Sequence, residues 1–184
     1  MDDMKDDLIP VLEDFKKEPT EENVTQILKA LGVQSPEYWA KDEIEGNEAV
    51  LASFRFLRPL QEILDTYLYD SEGWVQRSIE RTNEQATPDS DDLILKEMIQ
   101  AGIPPEKIGL FAYWIARSAI NEILYRLSDP CGGDYDLPNE GEELPSWRLE
   151  EYSPHNGNPM NVERTSRLLL ELHNIFPFHN PGEK

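Results

Sequence analysis

The chain has 184 residues, 37 of them acidic and 17 basic, which gives a formal charge of −20 at neutral pH. Such a field repels nucleic acid and anionic membrane and steers basic protein surfaces toward the molecule, so direct binding to nucleic acid or membrane is not expected. Hydrophobic content of 39% against 29% charged residues fits a globular chain, and the length suits one domain with a real core. The single cysteine, Cys131, leaves no internal disulfide framework, and the acidic stretch Met1 to Asp7 is unlike a secretory leader. A cytoplasmic protein is expected.

In chain order, Asp6 to Lys17 reads as a short amphipathic helix with Leu8, Val11, Leu12 and Phe15 on one face. Pro10 suits that helix only within its first turn, where the missing N–H has no intrahelical partner anyway. Thr20 is a good N-cap for a second helix carrying Val24, Ile27, Leu28 and Leu31, and Gly32 closes it. Ser35-Pro36 repeats the cap-plus-proline signal before a third helix that presents Tyr38 and Trp39. Together these form an N-terminal helical layer over 5–43.

Core helices are expected over 47–127. Asn47 to Tyr69 carries a stripe of Val50, Phe54, Leu57, Leu60, Leu64 and Leu68, with Pro59 expected to kink or split it near Arg58. Glu72 to Asn83 is helical through Trp74, Val75 and Ile79. Thr87 to Asp92 is a polar loop, and Leu93 to Gln100 is a short helix stopped by Gly102. The element that organises the rest is Pro104 to Asp129. Ile108, Phe111, Ala112, Ile115, Ala119, Ile123 and Leu127 form one stripe, while Leu110, Tyr113, Trp114 and Ile120 carry apolar surface around most of the circumference. A helix with no face to give to water belongs at the centre of a domain, so Trp114→Ala or Ile115→Asp is expected to unfold it. Arg117, Asn121, Glu122 and Arg126 interrupt the run well short of the ~20 apolar residues a membrane span needs.

From Ser128 the composition turns acidic and rich in proline and glycine, so 128–146 reads as a long loop. Trp147, Leu149 and Tyr152 suggest a brief extended segment, and Asn156-Gly157 is a turn signal. Asn161 is expected to cap a C-terminal helix over 161–175 that buries Leu168, Leu169 and Leu172, before a loose tail at 177–184. The predicted fold is mainly α: a single-domain helical bundle over 1–176 around a central helix at about 104–129, with a long acidic loop and a minor short β element near 147–152.

Chemistry is harder to place. Asp134, Tyr135, Asp136, Glu140, Glu142 and Glu143 offer the oxygen ligands that calcium prefers, but Pro138 and Asn139 stand where an EF-hand loop needs a ligand and its glycine. A solvated acidic loop is the simpler reading. His155, His173 and His179 lack metal-site spacing, and His173 is explained by the end of the expected last helix. Cys131 stands among acidic neighbours that oppose thiolate formation, and Gly132-Gly133 follows a helix where a phosphate cradle would precede one. No catalytic residue, cofactor or metal is expected. Arg117 either snorkels or pairs with a carboxylate, and Arg55 with Arg58 either binds an anion or neutralises acidic excess.

These observations lead to a non-catalytic acidic protein-binding domain, an inhibitor, immunity-type or adaptor protein, whose partner has a basic surface. Its expected contacts are Asp134, Tyr135, Asp136, Glu140, Glu142, Glu143 and Trp147, with Tyr135 and Trp147 as aromatic anchors. Two alternatives stand beside it. One is an enzyme or small-ligand binder whose pocket opens where the acidic loop meets Arg55, Arg58 or Arg117. The other is a structural subunit of a larger complex, docked through apolar patches around Trp39 and Trp74.

Overall fold

The computed structural model describes residues 3–46, 48–85, 91–128, 147–155 and 158–178. Among them are eight helices and one β-hairpin, in the order α1 (Asp3–Lys17), α2 (Glu21–Ala30), α3 (Pro36–Glu45), α4 (Val50–Tyr69), α5 (Ser71–Gln85), α6 (Asp91–Gln100), α7 (Pro105–Ser128), β1 (Glu150–His155), β2 (Asn158–Leu168) and α8 (Leu172–Ile175). The mainly helical class is as expected from periodicity. None of the described helices is long and apolar enough to cross a membrane.

The chain groups into two compact units, one formed by Met1–Arg58 with Glu122–Asn180 and the other by Pro59–Asn121. In the first, Val24 and Leu28 of α2 meet Ala40 of α3 and Val50, Leu51 and Phe54 of α4, with Phe15, Trp39 and Ile175 packed against them. Local chemistry explains the boundaries. Thr20 Oγ1 accepts from the Asn23 N–H while Asn23 Oδ1 accepts from the Thr20 N–H, a reciprocal capping box. Gly32 takes φ +79°, the left-handed closure that glycine permits without cost. Ser35 behaves differently from its expected role: it lies at φ 52° and makes no side-chain cap bond, so Pro36 alone marks the start of α3.

The expected C-terminal helix over 161–175 is not formed. Asn158–Leu168 is instead a strand, antiparallel to β1, with Tyr152 opposite Arg164 and Pro154 opposite Val162. The spacing of Leu168, Leu169 and Leu172 imitates a helix face, but Ser166 at φ 65° before them and Glu171 at φ 50° ahead of Leu172 break any helical run through them. Only the turn Leu172–Ile175 is helical. The hairpin is tied to the rest of its unit through Leu168, whose carbonyl accepts from the Ala49 N–H at 3.0 Å beside a parallel bridge from Glu48.

In the second unit, Val75 of α5, Leu95 of α6 and Ile108 of α7 form the core, flanked by Trp74, Ile79 and Met98. Leu64 and Tyr113 are fully buried. Gly109 lets α7 approach closely, because a Cβ there would overlap the Tyr67 carbonyl oxygen and lie 2.5 Å from Ser71 Cβ. That approach decides which face of α7 is inside. The buried line is Ile108, Gly109, Tyr113 and Leu124, whereas Phe111, Ile115, Ala119 and Ile123 of the expected stripe face outward. A helix apolar around its circumference gives periodicity nothing to choose with. The expected burial of Trp114 and Ile115 is therefore corrected: they are 50% and 58% exposed. Pro59 likewise neither splits nor ends α4. It is exposed, so the Arg55 carbonyl it deprives of a partner can turn to water.

Candidate functional site

Six of the expected contact residues, Asp134, Tyr135, Asp136, Glu140, Glu142 and Glu143, lie outside the described residues. The seventh, Trp147, precedes β1 and is 42% exposed. Its indole Nε1 donates at 3.1 Å to the carbonyl of Arg126, one of the last-turn carbonyls of α7 that have no intrahelical partner. The ring is therefore oriented by the helix end, with part of its surface still open.

A group of carboxylates that line a concavity lies elsewhere, where α1 turns into α2. A depression of about 510 Å³ there is lined by Asp14, Glu18 and Glu22 against, among the described residues, a single base, Lys17, with Thr20, Asn23 and Gln26 beside them. Lys17 Nζ is 3.0 Å from Asp14 Oδ1, so the one ammonium is shared with one carboxylate. The floor is held by the capping box, and Asn23 Nδ2 also donates to the Glu18 carbonyl at 3.1 Å. Nearby, a hydrogen bond and the charge of Lys16 hold the Glu13 carboxyl below its usual range. Exposed carboxylates on a fixed corner can receive ammonium or guanidinium groups, and they supply no paired nucleophile and base. The signal in the sequence is the acidic run through Glu18, Glu21 and Glu22, which the helix-capping reading of Thr20 absorbed.

A second concavity, of about 520 Å³, opens between the start of α3 and the end of the chain described, and it is aromatic. Trp39 stands edge-on to Tyr38 at 5.2 Å and to Phe54 at 5.4 Å, and Phe178 lies 5.1 Å from Phe54. Gln34, Ser35, Tyr38 and Asn174 supply polar atoms, and among the described residues no carboxylate or basic group lines it. Neither concavity is lined by Arg55, Arg58 or Arg117. Arg117 instead sits 5.2 Å above the Trp114 ring, a cation–π stack that neither of its expected roles, snorkelling or pairing with a carboxylate, had named.

The residue that sequence reading overlooked is Arg167 on β2. Its Nη1 reaches Glu43 Oε1 at 2.7 Å and Glu151 Oε2 at 3.5 Å, and its Nη2 donates to the carbonyls of Glu43 and Glu48. Glu43 is buried and its other oxygen accepts from the Leu51 N–H at 2.8 Å. Burial opposes the charge on Arg167, but the Glu43 and Glu151 carboxylates outweigh it and raise its titration above the usual arginine range. The contacts to Glu43 and Glu48 join the hairpin to the α3–α4 corner, while the one to Glu151 ties β2 to β1, so this is a structural clasp. On the hairpin itself, Arg164 hydrogen-bonds Glu150 at 2.7 Å and holds that carboxyl low.

His173 lies in the single turn α8, with Nε2 3.7 Å from Glu171 Oε2 and its ring edge-on to Tyr125 at 5.3 Å. The long-helix dipole expected to explain it is absent. Among the described residues no group of three or more histidine, cysteine, aspartate or glutamate side chains is arranged to hold a metal ion. Of the two tryptophans at the centre of the expected docking patches, Trp39 packs on the core of its unit and also lines the aromatic concavity, and Trp74 packs on Tyr67 at 4.8 Å. Comparison with protein-family models, with characterised proteins and with solved structures finds nothing that matches this chain.

Proposed function

We propose that this chain is a non-catalytic, acidic protein-binding domain of inhibitor, immunity or adaptor type, and that its partner presents a basic surface. The charge imbalance carries the reading. If every one of the 17 basic residues were paired, 20 acidic residues would remain without an internal counter-ion. A solvated partner rich in lysine and arginine is the complement of such a surface, and long-range attraction would speed their encounter.

The α1–α2 corner gives the reading a local form, because Asp14, Glu18 and Glu22 line one depression on a scaffold fixed by the Thr20–Asn23 capping box. We place the basic side chains of the partner there. The acidic stretch from Asp134 to Glu143, with Tyr135 and the oriented ring of Trp147, is the second proposed contact. Reversing two exposed charges, Glu18→Lys with Glu22→Lys, is expected to weaken partner binding more than tenfold while the thermal melt stays put. An unchanged affinity in the folded variant would remove the corner from the interface.

A second reading, a small-ligand-binding protein, is favoured by the uncharged aromatic concavity around Trp39 and Phe54. Such a site suits a flat apolar molecule. Quenching or shift of tryptophan emission by a panel of aromatic ligands, lost in Trp39→Phe, would support it. A panel that leaves both emission and melting unchanged would not.

A further inference from the structure

The outward face of α7 is apolar without being part of either core described above. Phe111 is 61% exposed, Ile115 58% and Trp114 50%, with exposed Ser118 between them one turn on. Residues at such spacings share one side of a helix, so these four make a continuous strip. Exposed Lys107 stands at its N-terminal end and exposed Glu122 at its C-terminal end. A contiguous exposed apolar strip with polar ends is the signature of an interface.

The order of residues along the strip says what covers it. Phe111 and Ser118 are equally distant from the midpoint between Trp114 and Ile115, and so are Lys107 and Glu122. When a second α7 is laid antiparallel across the first with a two-fold axis at that midpoint, the large Phe111 of each copy falls at the level of the small Ser118 of the other. Lys107 of each copy falls at the level of Glu122 of the other, and Trp114 and Ile115 lie beside their own copies on either side of the axis. Bulk meets space and cation meets anion, twice each, which is what an isologous contact requires. The strip from Lys107 to Glu122 is roughly 22 Å long at 1.5 Å per residue, long enough for a helix-pair contact.

We propose that the chain self-associates through antiparallel pairing of α7 with α7 of a second copy, centred between Trp114 and Ile115. Each chain carries a charge of −20, so two copies repel at long range. Salt screens that repulsion over about 8 Å at physiological strength and does not weaken the apolar contact. Self-association therefore tightens as ionic strength rises. This is opposite in sign to the expected salt response of a basic partner, so each idea can fail without the other.

The test is sedimentation equilibrium of the full chain from low to high ionic strength, reading a rise from the 21.2 kDa monomer mass toward twice that value. Ile115→Asp is expected to weaken association at least tenfold with an unchanged melt, since Ile115 is more than half exposed. The charge variants test the register. Lys107→Glu alone places a carboxylate against Glu122 of the copy, and Glu122→Lys alone places an ammonium against Lys107, so each should associate less than wild type. An equimolar mixture of the two restores opposite signs at both ends and should form the mixed pair in preference to either homodimer. A monomer at every concentration and salt overturns the proposal, as does a dimer indifferent to Ile115→Asp or a mixture that shows no preference for the mixed pair.

Discussion

Arg167→Ala should expose how strongly the hairpin depends on one guanidinium. The substitution leaves the Glu43 carboxylate, whose side chain is 5% exposed, with the Leu51 N–H at 2.8 Å as its remaining hydrogen bond in the clasp. It also frees the carbonyls of Glu43 and Glu48. Removing one partner of a buried ion pair costs about 3–5 kcal/mol, and the partial exposure of Arg167 places this case at the lower end, near 3 kcal/mol. Urea titration followed by tryptophan emission measures the loss as a shift in midpoint. A second substitution sharpens the test. Glu43→Gln keeps an acceptor for the Leu51 N–H but removes the charge, so in the otherwise wild-type chain it should cost about 1–2 kcal/mol through the weakened bond to Arg167. In the Arg167→Ala background the same change should restore stability, because it removes an unpaired buried charge. A loss under about 1 kcal/mol for Arg167→Ala, or a Glu43→Gln effect of the same sign in both backgrounds, would refute the clasp.

Three further outcomes are expected. Gly109→Ala should destabilise by about 1–2 kcal/mol, because overpacking against Tyr67 and Ser71 outweighs the gain in helix propensity; a rise in melting temperature would contradict the close approach of α7. Tyr113→Phe should change stability at neutral pH by less than about 1 kcal/mol, since the buried Tyr113 Oη makes no well-formed hydrogen bond and has only the nearby Arg117 guanidinium to set against its desolvation. Burial raises the Tyr113 phenol above its usual value of 10.0 despite the nearby Arg117 charge. The folded state thus holds its proton while the unfolded state releases it, and stability falls as pH rises past the unfolded value. The Tyr113→Phe variant should therefore lose less stability than wild type between neutral and alkaline pH, as read by urea midpoints at each. Ile115→Asp should leave the melt of the isolated chain within about 1 kcal/mol of wild type; cooperative unfolding on this change would return Ile115 to the core.

Helix positions were largely legible because the local signals were independent of tertiary context. Thr20, Gly32, Gly102 and the Pro104-Pro105 start mark real boundaries, and α7 at Pro105–Ser128 falls within one residue of its expected limits. Which side of α7 is buried was not legible, because its apolar residues cover nearly the whole circumference. The choice rests on Gly109, where the missing Cβ permits contact with α4 and α5. The hairpin was half legible. Asn156-Gly157, the turn signal, lies outside the described residues, and the leucines after it read as a helix face although left-handed Ser166 precedes them and left-handed Glu171 stands before Leu172. Arg167 escaped notice because its partners, Glu43, Glu48 and Glu151, are distant in sequence or ordinary among so many acids.

Salt-graded capture tests the proposed function most directly. Tagged wild-type chain and the Glu18→Lys, Glu22→Lys variant would be incubated with extract of the source cell, washed at low and then high ionic strength, and the eluates identified and quantified. A basic protein retained in stoichiometric amount by the wild type, released by salt and missing from the variant is the expected result. An empty wild-type eluate, or a bound protein that salt and charge reversal leave in place, would contradict the proposal that acidity is what this protein uses to bind.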